Sequence, residues 1–449
     1  MNEHTDNLDM FTTASLSASE QPLYMCIDLK TFYASVECAD RGLDPFTTKL
    51  VVADPTRSDN TICLAITPAM KRLGIPNRCR INDIPPGVSY EVAPPRMKHY
   101  MDVSARIVDI YLSFVAPVDL YPYSIDECFI YISPYLKLYQ ISALEFAQRL
   151  QKAVLAQTRI TATAGIGTNL FLAKVALDIR AKHSKNGIGM LNNQLFKKYI
   201  WFYTPLTDIW GIGKGTQRHL EKLGIDTLAG VCTMPKKLIL KEFGKHGTYL
   251  LEHAWGLECM TIPRIKEYTP KAHSITNGQV FMRDYTYQEV FTILHEMTNE
   301  SSLDLVRQRV YASGVSLNIG FSVQYARIME GQANDQFKRS IHSFSSKLCM
   351  PTNNENQLYS VFKRLYETNI PHDATIRRVQ LNFTGLLLSD SCAAALPCCS
   401  NSSTELQNLP QTIVDIRERF GANYLLKATS LRPESNARIR NKQIGGHRA

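Results

Sequence analysis

Three carboxylates are where chemistry can start in this chain. Asp28 closes a short apolar run, and the adjacent pair Asp126 and Glu127 lies inside a stretch rich in β-branched and aromatic residues. One Asp at the end of an apolar run is ordinarily a turn residue. An adjacent Asp-Glu pair in such surroundings is less ordinary, because neighbouring like charges repel and need a cation or full solvation. Gathered at one sheet edge, the three would form an oxygen-rich pocket. Mg2+ prefers such a pocket, sharing carboxylates with the phosphate oxygens of a substrate. Two ions so held activate an attacking oxygen and stabilise the leaving oxygen of an in-line displacement.

A second constellation is L-T-D-I-W-G-I-G-K-G-T-Q-R-H-L, from Leu206 to Leu220. Gly211 and Gly213 permit a tight turn between two helices, the form of a helix-hairpin-helix. The free amides there, with the following helix start, can hold a nucleic-acid phosphate without reading sequence. Lys214 and Arg218 add charge. Further along, Arg377, Arg378, Lys338 and Arg339 are candidates for backbone contacts. The C-terminal end is basic, with Arg432, Arg438, Arg440, Lys442 and Arg448 against Glu434 alone. Those cations would add non-specific, salt-dependent affinity for a polyanion.

The elements that must position these residues follow from periodicity. Leu23 to Leu29 reads as a buried strand with a carboxylate at its tip, and Thr31 to Ala39 as the helix after it. Leu50 to Ala53 reads as a strand. Pro68 to Leu73 is a short helix stopped by Gly74, and Tyr100 to Phe114 has helical spacing. Val118 to Ile132 is strand, turn at Ser124 to Glu127, strand. Leu144 to Gln157 is amphipathic, Ala162 to Gly167 a strand, and Leu170 to Ala181 helical. This order fits an α+β layer of ferredoxin-like type. Short helices with glycine turns occupy Pro205 to Gly256, and Lys266 to Ser274 is a linker. A second α+β region spans Gly278 to Asn423. Its strands are at Tyr311 to Phe321 and Ile376 to Leu388, its helices at Gln288 to Val310 and Gln357 to Glu367. Ser389 to Pro410 reads as a loop or linker.

Composition bounds these readings. The chain has 449 residues, room for three or four domains, and a formal net charge of +9, which suits a polyanionic partner. Its 11 cysteines are scattered, with no C-x-x-C pair. They read as reduced thiols of a cytoplasmic protein, neither a zinc site nor a disulfide framework. Met1 to Gln21 lacks the basic start and apolar block of a signal peptide, and no apolar run approaches the ~20 residues of a membrane span.

C-I-D-L-K-T-F-Y-A-S-V-E (Cys26 to Glu37) and Y-S-I-D-E-C-F-I (Tyr123 to Ile130) together resemble the two active-site motifs of Y-family DNA polymerases, most closely the bacterial UmuC-like branch. The likeness continues in T-A-G-I-G-T-N-L-F-L-A-K (Thr163 to Lys174), in the hairpin region, and in R-I-R-N-K-Q-I-G-G-H-R-A at the C-terminus. It implies an α+β multidomain right hand with a ferredoxin-like palm (23–32 and 98–188), small fingers (33–97) and a thumb with the helix-hairpin-helix (189–268). An α+β little finger (275–430) follows, between a flexible N-terminal tail (1–22) and a basic C-terminal tail (431–449). The implied activity is low-fidelity, template-directed DNA synthesis past damaged bases. A dNTP is joined to the 3′-hydroxyl of template-primer DNA with two Mg2+ ions, or Mn2+ in their place. Asp28, Asp126, Glu127 and the backbone carbonyl of Leu29 would be the metal ligands. Tyr33 would screen the sugar of the incoming nucleotide, with Phe32 beneath it. Lys71, Arg72 and Lys182 would meet the triphosphate.

The match departs from the family in two places. Many relatives carry Asp or Asn where this chain has Lys30. Relatives of the DinB type carry Tyr and Arg in the fingers where this chain has Pro68 and Lys71, and Lys is a point charge without the bidentate fork of Arg. A sliding-clamp peptide has no clean copy; Gln407-Asn408-Leu409 is a fragment. No proofreading exonuclease region is evident. Two rival readings are a non-catalytic UmuC-like protein at damaged primer termini, for which Lys30 and Pro68 speak, and a nucleotidyl cyclase, which has no use for the hairpin.

Overall fold

In a computed structural model, the structure describes residues 21–57, 61–269, 274–331, 341–388 and 404–449. The chain divides into two compact units, Met1–Tyr268 and Thr269–Ala449. In the first, β1 (Tyr24–Leu29) leads into α1 (Phe32–Asp40). The strands β2 (Leu50–Val52) and β3 (Ala65–Ile66), the helix α2 (Pro68–Lys71) and the strand β4 (Glu91–Ala93) form a small lobe, followed by α3 (Met97–Leu112). Next come the hairpin strands β5 (Leu120–Pro122) and β6 (Glu127–Tyr131), the helices α4 (Ser133–Tyr139) and α5 (Ala143–Thr158), β7 (Ala162–Gly167), α6 (Leu170–Val175) and β8 (Ile188–Leu191). The larger sheet has the order β5-β6-β1-β7-β8, and the small lobe the order β3-β2-β4.

β1 is central, antiparallel to β6 on one side and β7 on the other. Its residues Met25, Cys26 and Ile27 are wholly buried, as a strand covered on both faces requires. One core holds α3 and α5 against this sheet through Tyr100, Ile107, Phe146, Leu150 and Val154. Local signals set the helix starts. Ser142 accepts from the Glu145 amide and Asn169 from the Leu172 amide, side-chain caps of about 1 kcal/mol each. On the opposite face α6 lies unusually close to β7. A Cβ on Gly165 would stand 2.2 Å from the Ala173 carbonyl oxygen, and one on Gly167 2.3 Å from the Ala173 amide. The glycines of T-A-G-I-G therefore set the height of that helix above the sheet. After α6 the chain continues as a π turn over Ala176–Arg180 and a 3-10 turn over Ala181–His183.

Small helices complete the unit: α7 (Asn193–Tyr199), α8 (Lys214–Lys222), α9 (Leu228–Thr233), α10 (Lys236–Phe243), α11 (Lys245–Ala254) and α12 (Ile262–Glu267). They share a core of their own with Phe196, Leu206, Ile209, Ile212 and Leu220.

The second unit is a sheet of order β11-β10-β12-β9, built from β9 (Ile275–Thr286), β10 (Val310–Phe321), β11 (Ile341–Thr352) and β12 (Thr375–Thr384). The helices α13 (Glu289–Arg307), α14 (Val323–Gly331) and α15 (Glu355–Asn369) complete its α+β order. Val379, Leu381 and Phe383 join the core with Ile293 and Leu294 of α13 and Phe362 of α15. The alternate residues Arg378, Gln380 and Asn382 are half-buried and lie on the other sheet face.

Two segments differ from the expectations. The expected linker Ser389 to Pro410 is helical from Thr404, within the helix Thr404–Phe420, and 389–403 lies outside the described residues. Composition alone does not separate a hydrophilic helix from a loop. The segment 431–449 is folded back on the unit. Glu434 accepts from Thr292 at 2.8 Å, Ser435 donates to Glu296, and Arg440 donates to Asn277. Residues 1–20 of the expected N-terminal tail (1–22) and the residues Lys338 and Arg339 also lie outside the described residues.

Candidate active site

Strand register brings two of the three carboxylates together. Asp28, the fifth residue of β1, is directly opposite Glu127, the first residue of β6. Opposite residues of an antiparallel pair project to the same face, and like charges so placed destabilise the pair unless something offsets them. Asp126 is in the turn one residue earlier. Its carbonyl accepts from the Leu29 amide at 3.0 Å, and its carboxylate accepts from the Ser124 hydroxyl at 2.6 Å. The turn of Y-S-I-D-E is thus pinned both to itself and to the end of β1.

Two lysines complete the electrostatics: Lys182, expected at the triphosphate, and Lys174, to which the sequence reading assigned no role. Lys174 of α6 is buried and contacts Glu127 at 2.6 Å and Asp178 at 3.1 Å. Lys182 contacts Asp178 at 2.8 Å and Asp28 at 3.2 Å. Burial pushes the Asp28 carboxyl up to about 6. Lys182 opposes that shift, and Glu127 and Asp126 add to it. Burial disfavours the Lys182 ammonium, but Asp28 and Asp178 outweigh it and hold its pKa above the usual lysine range. Lys174 is likewise raised, its burial outweighed by Cys26, Asp178 and Glu127.

The cations on α2 and beside β1 divide. Lys71 is near Asp28, Lys182 and Lys30, and its pKa is lowered, by burial first. Arg72 instead donates to the Phe46 carbonyl, so it braces a loop. Lys30, the departure beside the first carboxylate, stands 5.6 Å from the centre of the Phe46 ring, a cation–π distance. Pro68, the other departure, is the first residue of α2, where a missing N–H costs nothing.

Tyr33 and Phe32 open α1. Phe32 is buried in the core, whereas Tyr33 is half-buried. Burial, then the Asp126 charge, raises the Tyr33 hydroxyl, while Arg78 opposes it. Its ring packs on Tyr100 at 4.8 Å, and the Tyr100 hydroxyl donates to the buried Glu37 at 2.7 Å. Thr31, just before, is left-handed at φ 47°. That conformation is costly for a β-branched residue and gathers at functional sites. It turns the chain sharply from β1 into α1, which brings Tyr33 close to the carboxylates.

Gly211 has φ +89°, and Gly213 is the N-cap of α8 with nothing within 4 Å of a Cβ built there. Lys214 and Arg218 are exposed. Trp210, in the hairpin, donates to the Tyr123 hydroxyl at 3.2 Å and packs on Tyr123 and Phe129. The hairpin is thereby tied to the strands that carry Asp126 and Glu127. In the second unit Arg377 pairs with Asp284 at 3.1 Å and Arg378 donates to Gln380 at 3.0 Å.

Among the described residues, no group of three or more His, Cys, Asp or Glu side chains is disposed to hold a metal ion. Asp28 and Glu127 instead carry lysines. The donor set still fits a hard divalent cation. It is all oxygen, largely buried, and includes an opposed like-charge pair with one carboxyl already destabilised in its charged form.

Fold and site together define a Y-family DNA polymerase. The impB/mucB/samB family matches residues 27–178, and its C-terminal domain matches 272–396. "DNA polymerase IV 2" of Bacillus subtilis is 30% identical over 435 residues, covering 95% of this chain and 99% of that protein. The "Putative UV-damage repair protein UvrX" of Bacillus subtilis is 28% identical over 433 residues, covering 95% and 97%. A solved Y-family DNA polymerase chimera of Dbh and Dpo4 has the same fold, with a TM-score of 0.63 at 19% identity, covering 82% of this chain and 99% of that one. The chain belongs to the impB/mucB/samB family, the UmuC-like Y-family polymerases, and is a template-directed translesion DNA polymerase that depends on a divalent metal. No helix among the described residues is long and apolar enough to cross a membrane.

Proposed function

We propose that Asp28, Asp126, Glu127 and the Leu29 carbonyl hold two Mg2+ ions while a nucleotide is transferred from a dNTP to the primer 3′-hydroxyl. Bound there, the ions would lower the charge barrier to in-line attack. The protein's own part is placement. Lys71 and Lys182 lie beside Asp28 and are the cations poised to meet the triphosphate, whereas Arg72 braces the 46-loop. Tyr33 blocks the space where a ribose 2′-hydroxyl would sit. Gly211, Gly213, Lys214 and Arg218 grip the duplex backbone, and Arg378 stands on the sheet face that offers polar side chains to a second stretch of it. Palm, fingers, thumb and little finger take the boundaries read from the sequence, with 431–449 joined to the little finger.

The observation that carries this reading is the direct cross-strand opposition of Asp28 and Glu127, next to a turn that presents Asp126. The test is primer extension with Mg2+ by wild type, Asp126→Ala and Glu127→Ala, alongside template-primer binding. Either substitution should cut incorporation by roughly a thousandfold or more and leave binding within a few-fold, since the carboxylates hold metal and not duplex. Wild-type-like extension by either variant would end the assignment. Binding without extension by the wild type would favour the non-catalytic reading.

A further inference from the structure

Asp28 and Glu127 are linked by an unbroken run of opposite charges. From Asp28 Oδ2 it passes to Lys182 Nζ at 3.2 Å, to Asp178 Oδ1 at 2.8 Å, from Asp178 Oδ2 to Lys174 Nζ at 3.1 Å, and to Glu127 Oε1 at 2.6 Å. Each ammonium has two carboxylates. One is a residue at a strand end, Asp28 or Glu127, and the other is Asp178 in both cases. Asp178 stands midway between the lysines, four residues from each, in the π turn Ala176–Arg180. Such turns are rare and gather at functional sites. The whole assembly is packed onto the sheet, since glycine at 165 and 189 lets this segment lie against β7 and β8. Lys174 has 7% of its side chain exposed, so water cannot replace a lost partner.

A divalent ion at Asp28 and Glu127 must displace both ammoniums from those carboxylates. Lys174, which is buried, would resist with a single partner, because release would strand its charge; Lys182, with 37% of its side chain exposed, meets water on release. A lysine that keeps a second carboxylate can yield. We propose that Asp178 is a positioning residue that retains Lys174 and Lys182 when a divalent ion takes Glu127 and Asp28, so that the ion enters without stranding the buried Lys174 charge. This rests on the metal-site reading above. Asp178 touches neither substrate nor metal. It acts through the two lysines, and its own negative charge favours the ion as well.

The test is Mn2+ binding to the full chain without DNA or nucleotide, read from the electron paramagnetic resonance of free Mn2+. Wild type is compared with Asp178→Asn, Asp178→Glu, Lys174→Met and Glu127→Gln. Asp178→Asn should weaken binding about tenfold, the scale set by partners that orient metal ligands. Asp178→Glu should recover most of that loss. Lys174→Met, which leaves Asp178 in place, should bind Mn2+ about threefold more tightly because the competing ammonium is gone. That arm stands even if Asp178→Asn fails to fold. Wild-type binding in Asp178→Asn, or unchanged or weaker binding in Lys174→Met, overturns the proposal. If Glu127→Gln alone loses Mn2+, the metal site stands and only the role of Asp178 falls. If Glu127→Gln binds like wild type, the metal-site reading itself has failed.

Discussion

At the scale of single residues, Tyr33 and Phe32 show how position decides role. Both are aromatic and adjacent, and the sequence offers either as a core ring. The structure buries Phe32 and leaves Tyr33 half-buried, with its hydroxyl influenced by Asp126. Tyr33→Ala should therefore raise ribonucleotide use relative to deoxyribonucleotide use by about a hundredfold, which corresponds to ~2.7 kcal/mol between transition states. Phe32→Ala should lower stability and all activity together, by ~3–5 kcal/mol of folding free energy for a lost core ring. Single-nucleotide insertion with matched ribo- and deoxyribonucleotides checks both. An unchanged ratio in Tyr33→Ala would remove it from the role of sugar gate. The carboxylates and Tyr33 could be singled out in the sequence because their motifs are local. Lys174 and Asp178 were not singled out, since a Lys and an Asp on a helix ordinarily face solvent. Only the approach of that helix to the sheet turns them inward.

At the scale of elements, that approach is set by glycine. Gly165→Ala would place a methyl 2.2 Å from both the Ala173 carbonyl oxygen and the Leu177 amide nitrogen, backbone atoms that a rotamer change cannot move. The helix must lift, at a cost of ~1–3 kcal/mol for overpacking. Lys174 would move with it, so thermal stability and incorporation should fall together while DNA binding persists. Denaturation and primer extension on one preparation measure this, and an unchanged extension rate would mean that helix height is not critical.

A pH effect belongs to the start of α13. Glu289 accepts from the Thr286 amide at 2.8 Å and pairs with Arg283 at 2.5 Å. The Arg283 hydrogen bond is the main reason its carboxyl drops to about 2, with the Thr286 contacts assisting and burial opposing. A carboxyl depressed on folding contributes stability that is complete above its unfolded value, near 4.5. That contribution is lost as pH falls toward 2. Glu289→Gln should therefore narrow the drop in melting temperature between pH 5 and about pH 2. An equal drop in wild type and variant would show that the pair contributes nothing.

At the scale of the whole molecule, the +9 charge is not spread evenly over uses. Arg440 is spent on Asn277 and Arg417 on Glu300 at 2.6 Å, inside the second unit. Lys214 and Arg218 remain exposed beside Gly213. Affinity for template-primer should fall steeply with salt, by tenfold or more between about 50 and 200 mM if several phosphates are contacted. Gly213→Val should weaken duplex binding without unfolding the turn, because its backbone is unstrained and nothing lies within 4 Å of the new Cβ. The obstruction would be felt only by an incoming phosphate. A flat salt response, or wild-type affinity in Gly213→Val, would leave this hairpin a structural turn.

Local rules carry a reading of this chain only so far. Local periodicity and turn chemistry marked the strand that carries Asp28, the β5–β6 hairpin, α5, β7, α6 and the glycine turn at 211–213, but not α4 or β8. Strands β9 and β11 escaped them. On the side away from the helices they carry glycine, serine, arginine and lysine beside isolated apolar residues, so their alternation is weak. That Asp28 opposes Glu127 follows from strand register, which links residues about a hundred positions apart. Tertiary structure also decided that Lys71 and not Arg72 turns toward the carboxylates, that the C-terminal basic segment folds onto α13, and that Asp178 stands between two lysines. Each depends on which surfaces meet, and long-range packing fixes that where local spacing cannot.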